Sequence, residues 1–122
     1  MNEIKSYKDL LIWQKGISIV KIVYQIVKTF PQDEIYALSN QLKRASVSVP
    51  SNIAEGYGRN TDKSFGHFLD ISRGSLFELE TQLIIAKELG FITDYIIKTI
   101  QVILEILEEV EWVDLTVNQL IT

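Results

Sequence analysis

The chain has 122 residues, 47% of them hydrophobic, with two prolines, six glycines and a formal net charge of −4. That length suits a single core, and the apolar content argues against a disordered chain. Cysteine is absent, which excludes disulfides, thiolate metal sites and thiol nucleophiles.

Charge is unevenly spread. Residues 1–37 carry five bases and four acids, residues 38–73 five and three, and residues 74–122 two and nine. The acidity therefore sits in the last two-fifths and the middle is mildly basic, so indiscriminate nucleic-acid binding is disfavoured while a local patch is not. The opening MNEIKSYKDL lacks the basic start and apolar run of a signal peptide. Lys21, Lys28, Lys98 and Glu105 interrupt the most apolar stretches before any reaches the roughly 18 residues of a membrane span. A cytoplasmic protein is expected.

In chain order, Ser6 and Asp9 form a capping box. Leu10, Trp13, Ile17, Val20, Tyr24 and Val27 then recur at spacings of three and four until Phe30-Pro31. Pro31, Asp33 and Glu34 suit the first turn of a second helix, with Ile35, Leu38, Leu42, Ala45 and Val49 as its stripe. Pro50 should kink it, and Gly58 should stop it. Thr61 and Asp62 cap a third helix carrying Phe65, Phe68, Leu69, Ser72, Leu76, Leu79, Leu83 and Ala86, ended by Gly90. Thr93-Asp94 opens a fourth, with Ile96, Ile100, Ile103, Leu107, Val110, Val117 and Leu120.

These elements predict one all-α domain over residues 1–122. The expected architecture is an antiparallel up-down-up-down four-helix bundle with helices at about 7–29, 32–57, 62–89 and 94–119, the second kinked at Pro50. Beyond these stripes the first helix also shows Ile12, Ile19, Val23 and Ile26, and the last shows Ile97, Val102, Leu104, Ile106, Val113 and Leu115. Such extra apolar ridges mark a contact between copies, which predicts a homo-oligomer.

Polar residues suggest little chemistry. His67 is the only histidine, so a two-histidine or di-metal bundle site cannot be built from one chain. Ser64 and His67 are close only by chance spacing, and the glycines match neither a dinucleotide fingerprint nor a phosphate loop. The expectation is no enzyme, no cofactor and no metal. Folding the second and third helices about residue 59 would set Gly74-Ser75 against Ala45-Ser46, Arg73 near Lys43 and Arg44, Lys63 near Glu55, and Glu78 near Asn40 and Gln41. Two readings follow for Lys43, Arg44, Arg59, Lys63 and Arg73. They are a strip that contacts phosphates or a partner, or they are charges paired internally through Glu55 and Glu78, and ordinary solvated charge on bundle helices favours the second.

The run Gln41-Leu42-Lys43-Arg44-Ala45, followed by Ser48-Val49-Pro50-Ser51-Asn52-Ile53-Ala54-Glu55-Gly56-Tyr57-Gly58-Arg59, resembles the signature of bacterial four-helix-bundle proteins encoded in 23S rRNA intervening sequences. Phe68 to Glu80, with Arg73-Gly74-Ser75 and Glu78, is similar to that family's second signature, and Leu10-Leu11-Ile12-Trp13 to its opening motif. The resemblance implies a non-enzymatic bundle that assembles into a ring, commonly a pentamer. Gln41, Pro50, Asn52, Glu55, Gly56, Gly58, Gly74, Ser75 and Glu78 are then its signature residues. A similar accessory protein of diversity-generating retroelements is a basic pentamer that binds nucleic acid and a reverse transcriptase, whereas this chain is acidic overall. What the resemblance leaves open is structured RNA as a partner, or a protein-only adaptor.

Overall fold

A computed structural model describes residues 4–108, the side chains of 96, 99, 100, 103 and 106–108 apart. The described residues are all helical, without a strand. Three helices are described in full, α1 (Leu11–Val27), α2 (Leu38–Tyr57) and α3 (Asp62–Glu88), and α4 (Asp94–Glu108) is described up to Glu108. α2 packs on both α1 and α3, and α4 also touches both.

The helix ends follow local chemistry. Ser6 and Asp9 make the expected capping box, but it closes a 3-10 turn, Tyr7–Asp9, and not the first α-helix. Leu10 is extended (φ −77°, ψ 128°) and fully buried, so α1 begins only at Leu11. The second helix likewise starts later than expected. Pro31, Asp33 and Glu34 shape a 3-10 turn, Gln32–Glu34, and α2 starts at Leu38, whose amide donates to the Glu34 carboxylate at 3.2 Å. Ile35 is 48% exposed, so nothing apolar holds the intervening residues against the core and a short isolated helix is unstable.

At the other turns the expectations hold. Thr61 accepts the Ser64 amide at the start of α3, and Gly58 caps α2. Gly90 takes φ +79°, and the Phe91 and Gly90 amides donate back to the Ala86 and Lys87 carbonyls at 2.9 Å, the paired bonds of a Schellman stop. Lys87 and Asp94 meet at 2.9 Å across the α3–α4 turn, and their hydrogen bond raises the lysine's pKa and lowers the aspartate's. The pair's small contribution is lost as pH falls through the depressed Asp94 value or rises through the raised Lys87 value.

The core corrects the reading of α1. Ile12, Gly16, Ile19, Val23 and Ile26 face inward, with Ile12 at 0% and Ile19 at 1% exposure, so these are not an outer ridge. Two apolar rows run at helical spacing, and Gly16 decides between them: a Cβ there would lie 3.1 Å from the Pro50 Cβ, so only this face admits the close approach of α2. Trp13, Ile17 and Val20 are half-buried and Tyr24 is 41% exposed. Ile97 and Leu104 are buried too, so neither is a ridge on α4. The Ile106 side chain and Val113 lie outside the described residues. Each fully buried Leu or Ile contributes about 1.5–3 kcal/mol, and Leu42, Val49, Ile53, Leu69, Leu76, Leu79 and Leu83 supply the α2–α3 share.

Pro50 sits inside a helix that is continuous from Leu38 to Tyr57. The second tight contact lies about 9 Å further along, at about 1.5 Å per residue: a Cβ on Gly56 would stand 2.7 Å from the Phe68 Cβ and 3.0 Å from the Phe65 ring. Gly56→Val should therefore cost about 1–3 kcal/mol of stability through overpacking, read as a lower urea midpoint, while Gly58→Ala, whose Cβ would meet nothing nearer than 3.6 Å, should leave the midpoint close to wild type.

Candidate functional site

Two of the signature residues, Asn52 and Ser75, meet in a polar seam between α2 and α3. Ser72 donates to the Val49 carbonyl at 2.9 Å, Ser48 and Ser75 share a hydroxyl hydrogen bond of 2.8 Å, and Asn52 donates to the Ser48 carbonyl and hydroxyl at 2.8 and 2.9 Å. Pairing 49 with 72 and 48 with 75 centres the hairpin near residue 61, two residues later than expected. Small hydroxyl side chains let two backbones come close while each polar group keeps a partner.

This register moves several expected neighbours. Ser75 faces Ser48 and not Ala45-Ser46. Gly74 faces nothing, being exposed with no atom within 4 Å of a Cβ placed there. Glu55 pairs at 2.6 Å with Arg59, in the turn that follows α2, and not with Lys63. Glu78 accepts from Gln82 at 3.1 Å, and Gln41 is exposed.

The five cations are not gathered into one strip. Lys43 turns toward α1, its ammonium 5.2 Å from the Tyr24 ring centre. Arg59 lies 5.0 Å from the Phe68 ring centre while holding Glu55. On a helix of about 100° per residue, Arg73 lies about 160° around from Ser75, so it looks away from α2 and its guanidinium rests 5.7 Å from the Phe77 ring centre. Arg44 and Lys63 are exposed, and neither has an ion-pair partner among the described residues. A hairpin construction predicts height along the pair but not azimuth, which is why it grouped Arg73 with Lys43.

His67 is exposed with its ring edge-on to Phe68. Among the described residues no three His, Asp or Glu side chains gather where a metal would sit, and no helix is long and apolar enough to cross a membrane. A notch of about 290 Å³ opens beside the α2–α3 turn, lined by Ile4, Leu10, Tyr57, Asn60, Asp62 and Phe65. Its walls are largely apolar, and the Asp62 carboxylate in the first turn of α3 opposes an anion there.

Two features escaped the sequence. Gly16 was one more glycine among six until the Pro50 ring was seen against it. Gln82 is 6% exposed, and its Oε1 has no partner among the described residues; position 82 falls on the inward flank between Leu79 and Leu83, which is the signal the sequence offers. Serine-lined contacts and dispersed cations describe an all-helical protein built on close helix packing.

Residues 8–111 match the family described as 23S rRNA-intervening sequence protein, and the chain belongs to that family. No curated protein matches it.

The orphaned carbonyl of Gln82 carries a desolvation penalty of about 1–3 kcal/mol. Gln82→Leu should raise the urea midpoint with an unchanged denaturant slope, whereas Ser72→Ala, which removes the buried bond to Val49, should lower stability by about 1 kcal/mol.

Proposed function

We propose that the protein is a cytoplasmic, non-enzymatic scaffold that works as a homo-oligomer of antiparallel four-helix bundles, the second helix bending at Pro50. The observation that carries it is the outer face of α3, where Ile71, Phe77, Ile84, Ile85 and Leu89 are 40–57% exposed. Exposed apolar surface of that extent on one helix is characteristic of a contact between molecules. Family membership supports the reading in so far as the family's description, 23S rRNA-intervening sequence protein, names an RNA context. A ring, with five copies as the expected number, is the assembly proposed.

Structured RNA is the proposed nucleic-acid partner, with Arg44 and Lys63 as the phosphate contacts, since both are exposed and unpaired among the described residues. The remaining three cations are engaged by Glu55 or by aromatic rings and act in support.

Light scattering on the purified protein should give one discrete mass several times that of the 14.0 kDa chain; a monomer at micromolar concentration ends the scaffold reading. Affinity for structured RNA should fall steeply with salt, and replacing both Arg44 and Lys63 by Ala should reduce the log–log salt slope by about 1.4–1.8. Absence of binding at low salt, with a partner protein retained at high salt after nuclease, replaces RNA by the protein-adaptor reading.

A further inference from the structure

Two outer surfaces of the molecule complement each other in shape and in charge. The first is the outward side of α3. At about 100° per residue, Gly74, Thr81 and Ile85 lie within about 20° of one line along the helix, opposite the buried row of Leu76 and Leu83. Ile71 and Phe77 flank that line, 40% and 46% exposed. Gly74 sits near the middle of α3 with open space above it among the described residues, so another backbone could approach the helix more closely there than at any neighbouring residue. A glycine in a helix interior lowers helix propensity, and among the described residues no contact compensates for it.

The second surface is the outer groove between α1 and α2. Gly16 against Pro50 and Tyr24 against Lys43 fix the register of this pair, which brings Val20 beside Val47. Half-buried Trp13, Ile17 and Val20, with Tyr24 and Val47 at 41% and 39% exposure, give the groove an apolar floor.

Charge separates the two. α1, and α2 as far as Ala54, carry Lys15, Lys21, Lys43 and Arg44 and no carboxylate. α3 carries Asp62, Asp70, Glu78, Glu80 and Glu88 against Lys63, Arg73 and Lys87. Opposed fields of this kind orient an encounter and disfavour pairing of like faces. α3 set against a second α3 in antiparallel fashion about Gly74 would place Glu78 opposite Asp70, so a two-fold contact of this face is opposed.

α2 and α4 each pack on both α1 and α3, so α1 and α3 are diagonal and their outer faces point in opposite directions. A surface and its complement on opposite sides of one molecule make a heterologous contact, which closes into a ring when the rotation between copies allows. We propose that the α3 ridge of one copy seats in the α1–α2 groove of the next, with Gly74 at the point of closest approach. The inference rests on the self-association proposed above and names its surfaces.

The absence of cysteine makes the contact directly testable. Val47→Cys and Phe77→Cys proteins, each altered at an exposed position, are co-expressed and oxidised. Disulfides joining one variant to the other are expected; Phe77→Cys homodimers, or no crosslink in a protein that is oligomeric by mass, overturn the interface and leave the oligomer standing. Gly74→Gln separates assembly from folding, because it favours the helix yet holds a neighbour away. Thermal stability of the dilute protein should not fall, while the concentration for half-assembly should rise at least tenfold. Unchanged assembly of Gly74→Gln refutes the close approach, and a monomeric wild type removes both this contact and the scaffold reading.

Discussion

The fold depends on α2 being held between two helices at contacts that leave no room for a methyl group. On one side the Pro50 ring fills the space above Gly16, and on the other Gly56 lies under Phe68 while Ser72 reaches the Val49 carbonyl. Each contact fixes height and rotation together, so three helices take a common register from two short stretches of α2. Pro50 lacks the amide that would serve the Ser46 carbonyl, a cost ordinarily large in a helix interior. Its ring instead becomes the feature that selects which apolar row of α1 turns inward.

Apolar periodicity marks the chain as all-helical and is a poor guide to which face each helix buries. Thr61, Gly58 and Gly90 act at the ends as their side-chain chemistry requires, and the α3 stripe from Leu69 to Ala86 is buried. On α1 the rule of threes and fours is met by two rows at once, so apolar spacing cannot rank them. The deciding residue, Gly16, has no side chain to enter such a count. The same limit applies to the cations. Pairing residues about a turn gives their height on each helix, but only Ser72 and Ser75 show which arc of α3 faces α2.

The polar seam is why the α2–α3 packing can be both tight and satisfied. Ser48, Asn52, Ser72 and Ser75 place hydroxyl and amide groups where larger apolar residues would hold the backbones apart. Each finds its partner within the pair, so the desolvation penalty is offset bond by bond. Gln82 is the exception, at the far end of the seam, where its amide donates to Glu78 and nothing among the described residues meets its carbonyl. The signature residues thus divide by physical task. Pro50, Asn52, Gly56 and Ser75 set the distance between helices, while Gln41, Gly74 and Glu78 lie on the outside.

The charge sorting of the sequence becomes a spatial sorting because the helices alternate around the molecule. α1, and α2 as far as Ala54, carry cations without carboxylates, and the acidic excess begins on α3, so one molecule carries both halves of an electrostatic match. That arrangement constrains any nucleic acid. A groove occupied by a neighbouring copy takes Lys43, already turned toward Tyr24, out of reach of phosphates. Arg44, about 100° further around α2, stays outside the groove, and Lys63 stands at the opposite end of the hairpin. Assembly would then draw on Lys43 and phosphate contact on Arg44 and Lys63, and a ring would repeat that pair of free charges once per copy. Weak, salt-screened contacts repeated in that way bind a long polyanion through multiplicity and not through the affinity of any one copy.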